Sequence, residues 1–184
     1  TFVMRSNLTI NANFITNPFV RHAGTYSGLF YESEGIRHES AGYVTFKVTP
    51  KLGYSGKLHL NGDSISFSGK FQIDGTTGEK LVSRVKRGKS ELTLNLAIDF
   101  AGATDTASGT LSDGANWVSQ IHADRIVWAP EQELATSFTN RYTLLLPGFD
   151  NDEDGPAGYS YATITVNELG KVKVSGAMAD QHKI

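Results

Sequence analysis

The chain has 184 residues, no cysteine, 19 glycines and a formal net charge of −2. Near-neutrality excludes a general nucleic-acid binder and a polybasic membrane-surface protein, and the missing thiols exclude disulfides and thiolate metal sites. The length suits one domain, or one domain and a fragment, and no apolar run reaches the length of a membrane helix.

The first 14 residues, TFVMRSNLTINANF, carry a strand pattern in which Leu8, Ile10 and Ala12 alternate with Thr9, Asn11 and Asn13. Residues 1–15 are therefore expected to be an N-terminal β arm, with Leu8, Ile10 and Ala12 as its assembly surface. The chain opens in mid-strand at Thr1, as a processed or excised piece of a longer polypeptide would. Residues 16–23 read as a linker, with Pro18 stopping the preceding strand. The rest, 24–184, reads as one all-β domain.

Within that domain, Val44, Phe46 and Val48 alternate with Thr45, Lys47 and Thr49. Leu58 and Leu60 alternate with Lys57, His59 and Asn61, and Ile65 and Phe67 with Ser64, Ser66 and Ser68. This is the period of half-buried strands. Asn61-Gly62 between two such runs is a type I′ hairpin signal, because both central residues need a positive φ. Leu92, Leu94, Leu96 and Ile98 form one more apolar face, and Asp113-Gly114 marks a further turn. Turn signals recur every eight to twelve residues, as in a sandwich or barrel. No segment has a convincing helical period; EQELAT is good for a single turn at most.

The end of the chain echoes its beginning. Tyr26 and Gly42 reappear as Tyr142 and Gly158, 116 residues on, and Ala41-Gly42-Tyr43 falls on Ala157-Gly158-Tyr159. Leu52-Gly53 meets Leu169-Gly170 at 117, and Ser55-Gly56 meets Ser175-Gly176 at 120. An internal pseudo-repeat, about 23–71 and 139–184, explains these matches with small insertions in turns. The expected fold is an antiparallel barrel or sandwich containing that repeat.

Several clusters invite a chemical reading. Asp150, Asp152 and Asp154 followed by Gly155 match the alternate oxygen ligands and sharp turn of a calcium loop. Tyr161 stands where the bidentate glutamate belongs, so a solvated acidic loop competes with calcium. Ser83–Lys89 holds the main basic cluster, which suits a charged edge strand or an anion contact. The five histidines show no metal-ligand spacing, and no nucleophile elbow or phosphate-cradling loop occurs. Trp117 and Tyr54 are the aromatic candidates for stacking on a sugar, with Trp128, Tyr31, Tyr43 and Tyr159 beside them; against this stands ordinary core packing.

Two resemblances complete the reading. Residues 1–14 resemble the last strands of the divergent InlB-type bacterial repeat. GTYSGLFYES, SGKLHLNG, FSGKF, ADRIVWAP, YTLLLPG and GYSYATITV resemble a glycine-rich all-β module of large secreted and surface proteins of Verrucomicrobia-like bacteria. The resemblance implies an extracellular or cell-surface setting and no catalytic residue. The expectation is a non-enzymatic structural or adhesive module, self-assembling by strand donation. Its partners would be copies of itself, neighbouring domains of the same polypeptide, or glycans. The alternative is a carbohydrate-binding module of a secreted protein.

Overall fold

The computed structural model describes residues 11–83, 91–100, 104–127, 135–148, 158–180 and 183. The chain divides into two compact units, Thr1–Val127 and Trp128–Ile184. The single domain expected over 24–184 is thus two, because the strands pair in two separate sheets, one in each unit.

The first unit is a short helix α1 (Phe19–His22) and eight antiparallel strands, β1 (Gly24–Tyr31), β2 (Gly42–Val48), β3 (Gly53–Leu60), β4 (Asp63–Lys70), β5 (Lys80–Val82), β6 (Leu92–Ile98), β7 (Thr106–Ser112) and β8 (Val118–Arg125). They form one sheet in the order β4-β3-β2-β1-β8-β7-β6-β5, nearly closed into a barrel. The alternation read from the sequence sets the facing. Val44, Phe46 and Val48 are buried, as are Leu58, Leu60, Ile65, Phe67 and the Leu92–Ile98 stripe. Asn61 and Gly62 take φ of 50° and 74°, and join β3 to β4 as the turn signal requires.

The interior is packed with rings and branched side chains. Phe46 stacks on Tyr26 with centroids 5.2 Å apart and 8° between planes, and tilts against Phe67 at 6.2 Å. Tyr26 donates a hydrogen bond to the His22 carbonyl at 2.8 Å, and burial pushes its phenol up to about 12. The proton is therefore held as a donor throughout the neutral range. Gly28 on β1 faces inward where β8 passes so close that a Cβ would overlap the His122 carbonyl oxygen. A side chain there would push the strands apart, so glycine permits the local coil that curls the sheet.

Residues 16–23 are not a linker. Pro18 begins a helical turn, Asn17 caps it by accepting the Phe19 amide at 2.9 Å, and Phe19 is fully buried. The Phe19 ring sits 5.5 Å from Phe71 and 5.0 Å, edge-on, from Phe100. It plugs the end of the barrel where β1 starts and where β4 and β6 finish. Four residues are too few for a periodic signal, so the sequence pattern could not announce this helix. At the opposite end, Ser40 and Ser119 are both fully buried, and Ser119 donates to the Ser40 carbonyl. Arg37 grips Glu32 through two hydrogen bonds of 2.8 Å in the same β1–β2 connection.

The second unit is a 3₁₀ turn (Thr136–Phe138) and three antiparallel strands, β9 (Asn140–Leu146), β10 (Ser160–Val166) and β11 (Val172–Ala177), in the order β11-β10-β9. Several of its local features match the opening of the first unit. Tyr26 bonds back to His22, and Tyr142, 116 residues later, bonds back to the Phe138 carbonyl at 2.9 Å. In each case a short helical turn precedes the strand.

Beyond that strand the equivalence moves to 118. Thr49 and Asn167 each receive a backbone bond from the residue three on, and each offers a side-chain oxygen to the amide four on, Gly53 and Lys171. Leu52 and Gly170 occupy the same left-handed corner, with φ of 64° and 68°. In register, Phe30 opposes Gly42 as Leu146 opposes Ser160. The sequence matches at 116, 117 and 120 in this region are therefore one or two residues off the structural equivalence. The slips of two leave every side chain on its own face, and the slip of one falls in the corner at Leu52-Gly53, so the echo misplaces the register without spoiling the facing.

Two outcomes test this packing. Phe46→Ala is expected to destabilise the first unit by about 3–5 kcal/mol in denaturant unfolding, through lost transfer energy and a cavity. Thr45→Ala, on the outer face, should cost under about 1 kcal/mol. Tyr26→Phe orphans a buried carbonyl and should cost about 1–3 kcal/mol, whereas Tyr142→Phe, whose bond is exposed, should be near neutral. Equal effects of the two tyrosine changes would contradict the burial contrast.

Candidate functional site

The residues proposed from sequence separate once folded. Trp117 and Tyr54 are only 6% and 5% exposed, so neither offers a ring face to a sugar. Tyr54 packs against Phe71 and Phe67, with centroids 4.9 and 6.1 Å away. Trp117 joins the same core from the β7–β8 connection. The aromatic rings that reach the surface of the barrel sit beside histidines instead, Tyr43 with His59 at 6.0 Å and Tyr31 with His122 at 5.7 Å. Register joins them on one outward rung, His59–Tyr43–Leu29–His122 across β3, β2, β1 and β8, with Tyr31 against His122.

Asp150, Asp152 and Asp154 lie outside the described residues, as do Leu8 and Ile10. Ala12 is exposed and belongs to no strand. Of the basic cluster only Ser83 is described. It follows β5, the last strand in the sheet order. Among the described residues, no group of three histidine, aspartate or glutamate side chains is placed to hold a metal ion.

Asp113 makes the densest polar arrangement described in the first unit. Burial works against its charge, yet hydrogen bonds from the Asn116 amide and side chain, and from the Ala115 and Trp117 amides, prevail. They hold the carboxyl well below the usual carboxylate range. These donors are all local, so the carboxylate ties down the turn that seats Trp117. A groove of about 580 Å³ lies on the outer surface at the seam between β4 and β5, where the barrel falls short of closure. Ser55, Ser66, Ser68 and Ser83 line it with Lys57 and Lys80. Among its described lining residues there is no carboxylate or imidazole.

The second unit carries the surface that the pattern of burial singles out. Strand pairing puts Tyr142, Leu144 and Leu146 on one face with Ala162, Ile164, Val166, Val172 and Val174. The other face holds Arg141, Thr143, Thr163, Thr165, Lys173 and Ser175, with Leu145 and Tyr161 near one end. The apolar face is open at its flanks, where Tyr142 is 42% exposed, Leu146 44% and Val174 45%, while Ala162 and Ser160 on the central strand are buried. The equivalent positions in the first unit, Tyr26, Phe30 and Gly56, face the interior of the barrel. Among the described residues no strand pairs with the outer edge of β9. The outer edge of β11 meets one described residue, Lys183, in an isolated antiparallel bridge to Ala177. A cavity of about 210 Å³ opens beside this end, lined by Leu146, Pro147, Ser160 and Met178.

An apolar sheet face with free edges can do two things chemically. It can bury its side chains against another sheet, or extend its ladder with an incoming strand. The sequence signals this surface only through the echo, in which the SISFSGKF strand of the first repeat has no counterpart in the second, so that an unpaired edge and an apolar groove are expected there. Comparison with protein-family models, with curated proteins and with solved structures finds no match.

The Asp113 arrangement makes a pH prediction. A depressed carboxyl stabilises the fold fully above its unfolded value, about 3.9, and loses that contribution as pH falls towards the folded value. Asp113→Asn keeps an acceptor but not the charge. The variant should melt below the parent at pH 7, and the gap should shrink on acidification below about pH 4. A gap independent of pH would show that the charge contributes nothing.

Proposed function

We propose that the chain is a non-enzymatic structural module whose work is assembly through β-sheet surfaces. The observation that carries this is the open apolar face of β9–β11, framed by an edge of β9 that pairs with no strand among the described residues. Three strands with an uncovered face are marginal in water, since they expose what their counterparts in a closed sheet bury. A sheet of this kind gains stability by taking on another β surface. The filled barrel of the first unit supports the same reading, because its own apolar strand faces are already enclosed. The resemblance of GTYSGLFYES and YTLLLPG to modules of secreted bacterial proteins supports an extracellular or cell-surface setting. Neighbouring domains or further copies are the partners that suit such a surface.

The test is direct. The 184-residue chain should bind an apolar fluorescent dye and associate weakly as its concentration rises in sedimentation. Leu144→Asp combined with Val174→Asp should abolish both, because two charges on the face cannot be buried unpaired. The melting of the first unit should not change. A dye-silent chain, monomeric at every concentration, would refute the reading.

A further inference from the structure

We infer that β9, β10 and β11 are the first three strands of a second domain built like β1–β8, docking strands of the β4-to-β8 pattern that run on from Lys183. This rests on the assembly reading above and names what assembles.

Three independent features carry it. The first is the shared entry, in which a short helical turn is followed by a tyrosine bonded to the carbonyl four residues back. The second is the shared corner between the second and third strands. There, the same two backbone bonds, the same side-chain cap and the same left-handed residue recur. The third is where the sheet leads. In the first unit β3 ends at Leu60, turns at Asn61-Gly62 and pairs back with β4. In the second unit Met178 stands at the place of Leu60, and the chain turns at Ala179-Asp180. Lys183 then bridges antiparallel to Ala177, on the edge where β4 meets β3 in the first unit. That bridge is the first rung of a fourth strand.

The same equivalence says what each open surface takes. The edge of β11 takes a β4-type strand, with apolar residues at alternate positions as Ile65 and Phe67 are in β4. The edge of β9 takes a β8-type strand, with inward residues like Ser119, Ile121 and Ala123. Side chains from the intervening strands cover the face. One detail shifts: Gly176 opposes Ala162, whereas Gly56 opposes Phe46 on β2. In both glycines a Cβ would overlap a carbonyl oxygen of the neighbouring strand, so the close approach has moved by one rung pair.

The experiment extends the whole chain. Residues 66–127 are appended after Ile184, which brings a β4-to-β8 set in line with Lys183. Hydrogen exchange is then followed at β9–β11, with the amides of the first barrel as internal reference. The expected result is slowing of about tenfold or more in β9–β11, with loss of dye binding. A scrambled extension of the same composition should leave both as in the 184-residue chain. Unchanged exchange in β9–β11, while the first barrel stays protected, would overturn the inference. Should the long extension misfold, appending only residues 66–71 tests the first step: protection of β11 amides supports it, and no protection overturns it. Sedimentation of the unextended chain separates the two readings. A tight dimer at micromolar concentration that already protects β9–β11 would make a second copy the occupant. That outcome overturns the inference and leaves the assembly reading standing, whereas a dye-silent monomer removes both.

Discussion

Phe46 lies flat on Tyr26 and leans on Phe67, so strands β1, β2 and β4 of the barrel meet through one row of rings. The constraint behind that row is that an inward strand position must be filled, to organic-crystal density, by something from across the barrel. The glycine at position 28 and the helical turn around Phe19 both answer it. The glycine lets β8 approach where a methyl group would not fit, and Phe19 fills the end that the strands leave open. The polar ties at the far end, Ser119 to Ser40 and Arg37 to Glu32, hold the long β1–β2 connection over the same interior.

The second unit shows the same strand pattern with less of it covered among the described residues. Tyr142, Ile164 and Val172 stand where Tyr26, Phe46 and Tyr54 stand in the first unit. Tyr142 opposes Ile164 as Tyr26 opposes Phe46, and Val166 opposes Val172 as Val48 opposes Tyr54. Their alternation is intact and their hairpin corner is well made. No opposing layer covers them among the described residues, so the apolar side chains stand at the surface. Facing is a property of a strand and its immediate neighbours, whereas burial is a property of everything that closes over it. A sheet can therefore be locally correct and globally unfinished.

This bears on how function is read from such chains. Aromatic residues near a turn, such as Trp117, look like ligand platforms until their burial is known, and here the ring is part of the core. The local hydrogen bonds that the Asp113 carboxyl accepts serve to fix that ring. The surface that stands out comes instead from ordinary leucines and valines with no chemical signature of their own. Its meaning lies in the comparison between two units of one chain, one enclosed and one open among the described residues.

The sequence by itself determined the strands, their facing, the Asn61-Gly62 hairpin and the existence of an internal echo. Each of these depends on neighbours in the chain: period-two alternation, the φ demanded of a turn residue, and recurrence of a motif. It misled on the register of the echo, because a slip of two residues preserves facing and leaves no trace in the pattern. It also missed the plug at Phe19, where four residues carry no period. The division into two units, the burial of Tyr54 and Trp117, and the exposure of Leu144 and Val174 were decided by tertiary structure alone. Those properties depend on which distant strands close over a face, and a single strand's sequence is the same whether or not they do.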